Sequence, residues 1–183
     1  VRRIINSTYI TLDGVIDNPA WTMPYFDEEA TAFAGAQTDA ADALLMGRHT
    51  YDGFAAAWQA MDESDPTNGA AYFNSVKKYV ASTTVTDPEW NNTEVLQGDL
   101  VEAVTRLKAA EGRDILMYGY GVVTHTLLRA GLVDEVRFWI HPVLQGGPSM
   151  TAPLADAQTT LALVDTKVLK SGVVIASYQP VSR

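Results

Sequence analysis

Four consecutive residues pose the first chemical question. The apolar run Ala43–Met46 is followed at once by Gly47, Arg48, His49 and Thr50, and then by an aromatic-rich stretch carrying Tyr51, Phe54 and Trp58. A glycine lets a ligand approach the backbone, a guanidinium forks onto an anion, and a hydroxyl donates to the same oxygens. The plain alternative is an ordinary strand-to-helix turn. The pattern recurs, however. Ser82, Thr83 and Thr84 follow the run KYVA, while Gly119, Tyr120 and Gly121 follow DILMY and lead into Val122, Val123 and Thr124. Beyond the carboxyl ends of parallel strands, helix N-termini present unpaired N–H groups, and this is where α/β sheets bind ligands. Three such ends supply enough donors for a bipartite phosphate site that holds a dinucleotide. Each piece alone is weaker. GYG lacks the third glycine of the dinucleotide fingerprint and lies late in the chain, and isolated Arg48 and His49 read as surface residues.

The elements that position these residues follow from patterning. The span Arg3–Leu12 is β-rich and mostly apolar, so it reads as a central strand. Asp13–Pro24, with Gly14 and two prolines, reads as a loop. Asp27–Thr38 reads as a helix whose first residues, Asp27, Glu28 and Glu29, complement its dipole. A short buried strand over Ala43–Met46 leads to a helix over Thr50–Trp58 and a polar loop over Asp62–Gly69. Another helix over Ala70–Val76 precedes the strand KYVAST. Asp99 is placed to cap a helix over Leu100–Glu111, with Glu102 as its capping-box partner and Gly112 at the C-cap. DILMY is a strand, Val122–Ala130 a helix ended by Gly131, and EVRFWIHPVL a strand. Two further β-runs meet around Ser171 and Gly172 as a hairpin. Strand–helix alternation with an antiparallel finish predicts an α/β fold of one domain, with helices on both faces of a mostly parallel sheet.

Composition narrows the partners. The chain has 183 residues, a net charge of −9 and no cysteine. No global field draws it to nucleic acid or an anionic membrane, and any anion must be held by local groups. The absence of cysteine removes disulfides, thiolate metal sites and a thiol nucleophile, and suits the cytoplasm. No apolar run reaches ~18 residues, the length of a membrane span. His125 and His141 form no metal-ligand spacing with His49, so no metal site is expected, and a serine-hydrolase triad has no Gly-x-Ser-x-Gly to rest on.

The motif LLMGRHTYDGF resembles the second-strand segment of dihydrofolate reductases. STYITLDGVI and AGLVDEVRFWIHPVLQGG are similar to segments of the related pyrimidine reductases of riboflavin synthesis, the RibD C-terminal domain. The matches fall in order along nearly the whole chain. The resemblance implies a dihydrofolate-reductase-like three-layer fold and NADPH as hydride donor to a small heterocycle. It implies that Gly47, Arg48, His49 and Thr50 border the phosphates and that Ser82 and Thr83 meet the 2′-phosphate. Gly119, Tyr120, Gly121, Val122 and Val123, with Thr124 one turn on, form the glycine loop under the pyrophosphate. Tyr9 and Ile16 would flank the nicotinamide.

Trp21, on the first loop, and Phe54, one turn past Thr50, are expected to clamp a flat substrate. A proton relay falls to Asp13, Asp27 or Glu28, although the latter two equally serve the helix dipole. The first loop carries no basic residue for a ribose phosphate. Two other classes remain open: a nucleotide-binding module without turnover, and a dimerisation unit without cofactor. Oligomeric state stays open; the apolar run GVVIAS in the final hairpin is a candidate for pairing with a second subunit in a homodimer.

Overall fold

The computed structural model describes residues 1–146 and 158–181. Gly147, which closes the AGLVDEVRFWIHPVLQGG motif, lies outside the described residues. Among the described residues, eight strands form one sheet: β1 (Ile4–Thr11), β2 (Ala41–Gly47), β3 (Lys77–Ala81), β4 (Thr93–Val95), β5 (Asp114–Tyr118), β6 (Glu135–His141), β7 (Leu161–Val168) and β8 (Val174–Pro180). Their spatial order is β4-β3-β2-β5-β1-β6-β8-β7. Neighbours pair in parallel except at β8, which runs against both β6 and β7. The expected α/β architecture with an antiparallel hairpin is present.

Side chains alternate between two buried faces. Ile5, Leu44, Met46, Leu116 and Tyr118 pack against α2 (Arg48–Gln59) and α3 (Ala70–Ser75). Ile4, Ala43, Leu45, Ile115 and Met117 pack on the opposite face with α4 (Leu100–Ala109) and α5 (Val122–Arg129). The remaining helix, α1 (Glu28–Asp39), shares the first face, where Ala30 and Phe33 meet Trp139 and Ile175. This double burial explains why the central strands read as nearly continuous apolar runs.

Three features depart from the expectation. The loop after β1 contains a 3₁₀ helix over Pro19–Tyr25, begun by a proline in its first turn, a position that suits the fixed φ of proline. The strand β4 lies in a polar stretch with no periodicity, and its pairing with β3 defines it. The run GVVIAS is core rather than interface: Val173, Ile175 and Ala176 are buried, and β8 is flanked on both sides by β6 and β7, so it has no free edge to offer a second subunit. Among the described residues the edge of the sheet at that end is β7, where Leu163, Val164 and Val168 are exposed. Among the described residues no helix is long and apolar enough to cross a membrane.

Candidate functional site

The chain leaves β2 through α2 to reach β3, on the outer side, and leaves β5 through α5 to reach β6, on the other side. β2 and β5 are neighbours. Two adjacent strands whose connections depart in opposite directions open a crevice between their carboxyl ends. The exits of both strands line it. A Cβ built on Gly47 would stand 3.2 Å from Val123 Cγ2, and one on Gly119 would stand 2.6 Å from Thr50 Oγ1. Gly119 has a φ of +77°, a left-handed conformation that glycine adopts freely. Its carbonyl accepts a 2.8 Å hydrogen bond from Asn6 Nδ2, and Thr50 Oγ1 donates to the Tyr118 carbonyl at 3.4 Å. The crevice is therefore built by close backbone approach across two strands.

Both helices that start at the crevice have glycine at the N-cap, Gly47 for α2 and Gly121 for α5, and no side chain caps them. By contrast, α1 and α4 are capped by carboxylates, since Asp27 accepts from Ala30 N and Asp99 from Glu102 N. The first-turn N–H groups of α2 and α5 thus face the crevice mouth without an internal acceptor, as an anion site requires. Arg48 and His49 are exposed at the start of α2. Arg48 Nη1 donates to Thr84 Oγ1 at 3.0 Å. Ser82 Oγ in turn accepts from the Thr84 and Val85 amides, each at 3.1 Å. The exits of β3, β2 and β5 are thus neighbours on one rim.

The remaining candidates separate. Thr124 is buried and lies 3.5 Å from Asn6 Nδ2, under the crevice rather than in it. Tyr120 turns its ring toward His125 and Phe138, with centroids 5.5 and 5.7 Å away. Val122 is exposed at the head of α5. Ile16 is half-buried in the loop after β1. Tyr9, on β1, packs edge-on against Trp139, His141 and Phe26, and burial pushes its hydroxyl up to about 12. Trp21 sits edge-on to His141 at 5.1 Å, and Phe54 packs against Tyr118 at 5.3 Å. β1 runs between β5 and β6, with Ser7 beside Tyr118 and Thr11 beside His141, so the strand positions these two aromatics pack on lie two strand spacings apart and four residues offset along β1, roughly 16 Å in all. The Tyr9 strand lies between them.

Two of the three carboxylates proposed for proton relay, Asp13 and Asp27, have other partners. Asp13 accepts from the Thr11 hydroxyl at 2.6 Å and from the Gln145 and Gly146 amides at 3.1 and 2.8 Å. The Thr11 bond first, and then these amides, hold it down to about 2, so it carries no proton near neutrality. Asp27 caps α1 through a 2.9 Å bond from Ala30 N, and Glu28 is exposed in the first turn. Glu29 accepts from the Lys170 amide at 2.8 Å. The dipole reading of these acids matches their geometry.

The sequence reading missed a buried network on the α1 face. Trp139 Nε1 donates to Ser7 Oγ at 3.0 Å, and Gln37 Nε2 reaches Ser7 Oγ at 3.2 Å and the Tyr118 hydroxyl at 3.4 Å. Burial raises the Tyr118 hydroxyl further above its ordinary value, so it stays neutral. No local motif marks these residues, because they converge from three strands and a helix. Asn6 was missed for the same reason.

The family model for the RibD C-terminal domain matches residues 2–175. The chain belongs to the RibD C-terminal domain family. It is 31% identical over 182 residues to the uncharacterised protein YyaP of Bacillus subtilis (strain 168), covering 97% of this chain and 94% of that one. Its fold is similar to that of a proposed riboflavin biosynthesis protein from Shewanella sp. PV-4, with a TM-score of 0.74 at 22% identity over 98% of this chain and 99% of the other. It is also similar to dihydrofolate reductase from Enterococcus faecalis complexed with NADP(H) and RAB-propyl, with a TM-score of 0.58 at 14% identity over 97% and 96% of the two chains. The dihydrofolate-reductase-like fold is thus shown, and the RibD C-terminal domain family is a reductase-related one.

Proposed function

We propose that this RibD C-terminal domain is an NADPH-dependent reductase of a small heterocyclic substrate, with hydride delivered to the carbon of a C=N or C=O group. The observation that carries the reading is the β2/β5 crevice. It joins two uncapped helix N-termini, two glycine exits and Arg48. The close approach at Gly47 and Gly119 fits a pyrophosphate lying against backbone amides. Arg48, with Thr84 and Ser82 beside it, fits a 2′-phosphate, since an NAD site places an acid for the ribose hydroxyls instead. NADPH, when bound, supplies the hydride; the protein orients the reactants and excludes water. With Asp13 held ionised and Asp27 capping α1, water is the proton source we favour. We also infer a cytoplasmic location, which the cysteine-free composition suits.

The test is NADPH oxidation, followed at 340 nm, against a panel of pterins, aminopyrimidines and quinones, together with thermal denaturation in NADPH. A substrate that is turned over, and a melting temperature that rises with NADPH concentration, are expected. Binding at 100 times Kd stabilises by about 2.7 kcal/mol. Tight binding with no turnover across the panel would make the chain a nucleotide-binding module. No thermal shift at millimolar NADPH would reject the cofactor and leave a structural unit.

A further inference from the structure

Arg48 is not alone at the crevice. Its Nε donates to Asp52 Oδ2 at 3.3 Å, one helical turn along α2, and both side chains are about half exposed. Its Nη1 is on Thr84. A guanidinium grips a phosphate best with two parallel N–H groups, as a fork, and here Asp52 holds the Nε arm of that fork. Beyond Asp52 a groove of about 430 Å³ runs between α2 and the segment after β3, and Asp87 and Glu89 line it with Asp52. Of these carboxylates, Asp52 is the one that pairs with the cation of the rim.

We propose that Asp52 is a specificity-determining residue that competes with the cofactor's 2′-phosphate for Arg48 and so narrows the preference for NADPH over NADH; this rests on the reductase reading above. An exposed i,i+4 ion pair holds its partners only weakly. A dianionic phosphate displaces such a partner readily, but at the cost of the pair and of repulsion from the freed carboxylate. NADH carries a 2′-hydroxyl there. It leaves Arg48 with Asp52 and offers the carboxylate a hydrogen-bond donor. The same carboxylate thus opposes one dinucleotide and tolerates the other.

Dissociation constants for NADPH and NADH, measured by calorimetry on the native chain, Asp52→Asn, Arg48→Ala and the double variant, decide the point. Asp52→Asn is expected to tighten NADPH about three- to tenfold, from the pair energy and like-charge repulsion removed, with NADH changed less than about twofold. In the Arg48→Ala background only the like-charge repulsion between Asp52 and the phosphate is left to relieve, so the gain on NADPH should shrink, an outcome that a change in helix stability would not produce. An equal effect on both dinucleotides, no effect on either, or a gain undiminished without Arg48 would overturn the assignment while leaving the cofactor reading intact. Failure of the native chain to bind either dinucleotide would remove both.

Discussion

The two edges of the sheet treat their charges in opposite ways. At the amino-terminal edge, cations are tied into the fold. Arg2 pairs with Asp42 and donates to the Arg113 carbonyl at 2.9 Å, and the Arg113 amide donates to the same Asp42 at 2.9 Å. Lys108 pairs with Asp134 and donates to the Leu132 carbonyl at 2.8 Å. Arg3 pairs with Glu135. Lys78, wholly buried near the start of β3, donates to the carbonyls of Asn74, Val76 and Asn91 at 3.2, 2.7 and 2.9 Å and lies 4.4 Å over the Trp90 ring. At the carboxyl edge, Arg48 has one exposed carboxylate and one hydroxyl, and two helices begin on bare glycines. Polar groups that the fold satisfies internally close one edge, whereas groups left for a solute open the other. A buried group without its partner costs free energy, while an exposed one waits in water at little cost.

The sharpest break of this contrast is at Lys78. Lys78→Met keeps the apolar stem but removes the ammonium from three carbonyls, of which Asn74 keeps Asn91 Nδ2 at 3.3 Å and Asn91 keeps the Thr93 hydroxyl at 3.5 Å, so it should destabilise the fold by about 3 kcal/mol. A calorimetric melting temperature should fall by roughly 6–12 °C for a chain of this size. The Kd of the remaining native protein for NADPH should be unchanged.

The reverse holds at the other edge. Arg48→Ala should weaken NADPH about 10- to 100-fold by loss of charge-assisted hydrogen bonds and NADH by less than about threefold, with the melting temperature of the free chain hardly moved. An equal loss for both dinucleotides would reject the phosphate role.

The smallest effect belongs to Asp13, a carboxylate on the carboxyl edge that the fold nevertheless uses, since it ties the loop after β1 to the segment after β6. Its folded pKa of about 2 lies below the ordinary 3.8. As pH falls, the unfolded chain therefore takes up the proton first. The stabilisation is complete above the ordinary value and is lost between there and about pH 2. Melting temperatures of the native chain and Asp13→Asn, compared from pH 6 to pH 2, should differ at the upper end and converge at the lower.

Much of this architecture was legible in the residues. The helix over α4 announced itself through Asp99, which caps it, and the glycine exits of β2 and β5 were visible as breaks after apolar runs. The start of α1 was also legible from its run of acids, Asp27, Glu28 and Glu29, but that Asp27 caps the helix rather than beginning it was decided by the structure. The strand β4 was not legible, because three residues, Thr93, Glu94 and Val95, are too few to carry a period. Nor was the burial of GVVIAS, since an apolar run states that it is covered but not by what.

The sequence by itself determined which segments end in glycine and hydroxyl, because turn chemistry and periodicity are local properties of consecutive residues. It also determined that any anion must be held by local groups, because net charge is a sum over residue types. Only the tertiary structure decided that β5 inserts between β2 and β1, bringing Gly119 against Thr50 and Gly47 against Val123. That placement depends on contacts between residues some 70 positions apart. The same packing assigned Asp13 to a loop brace and Ser7, Gln37 and Tyr118 to one buried network, since a hydrogen bond needs both partners in place and the sequence names only one at a time.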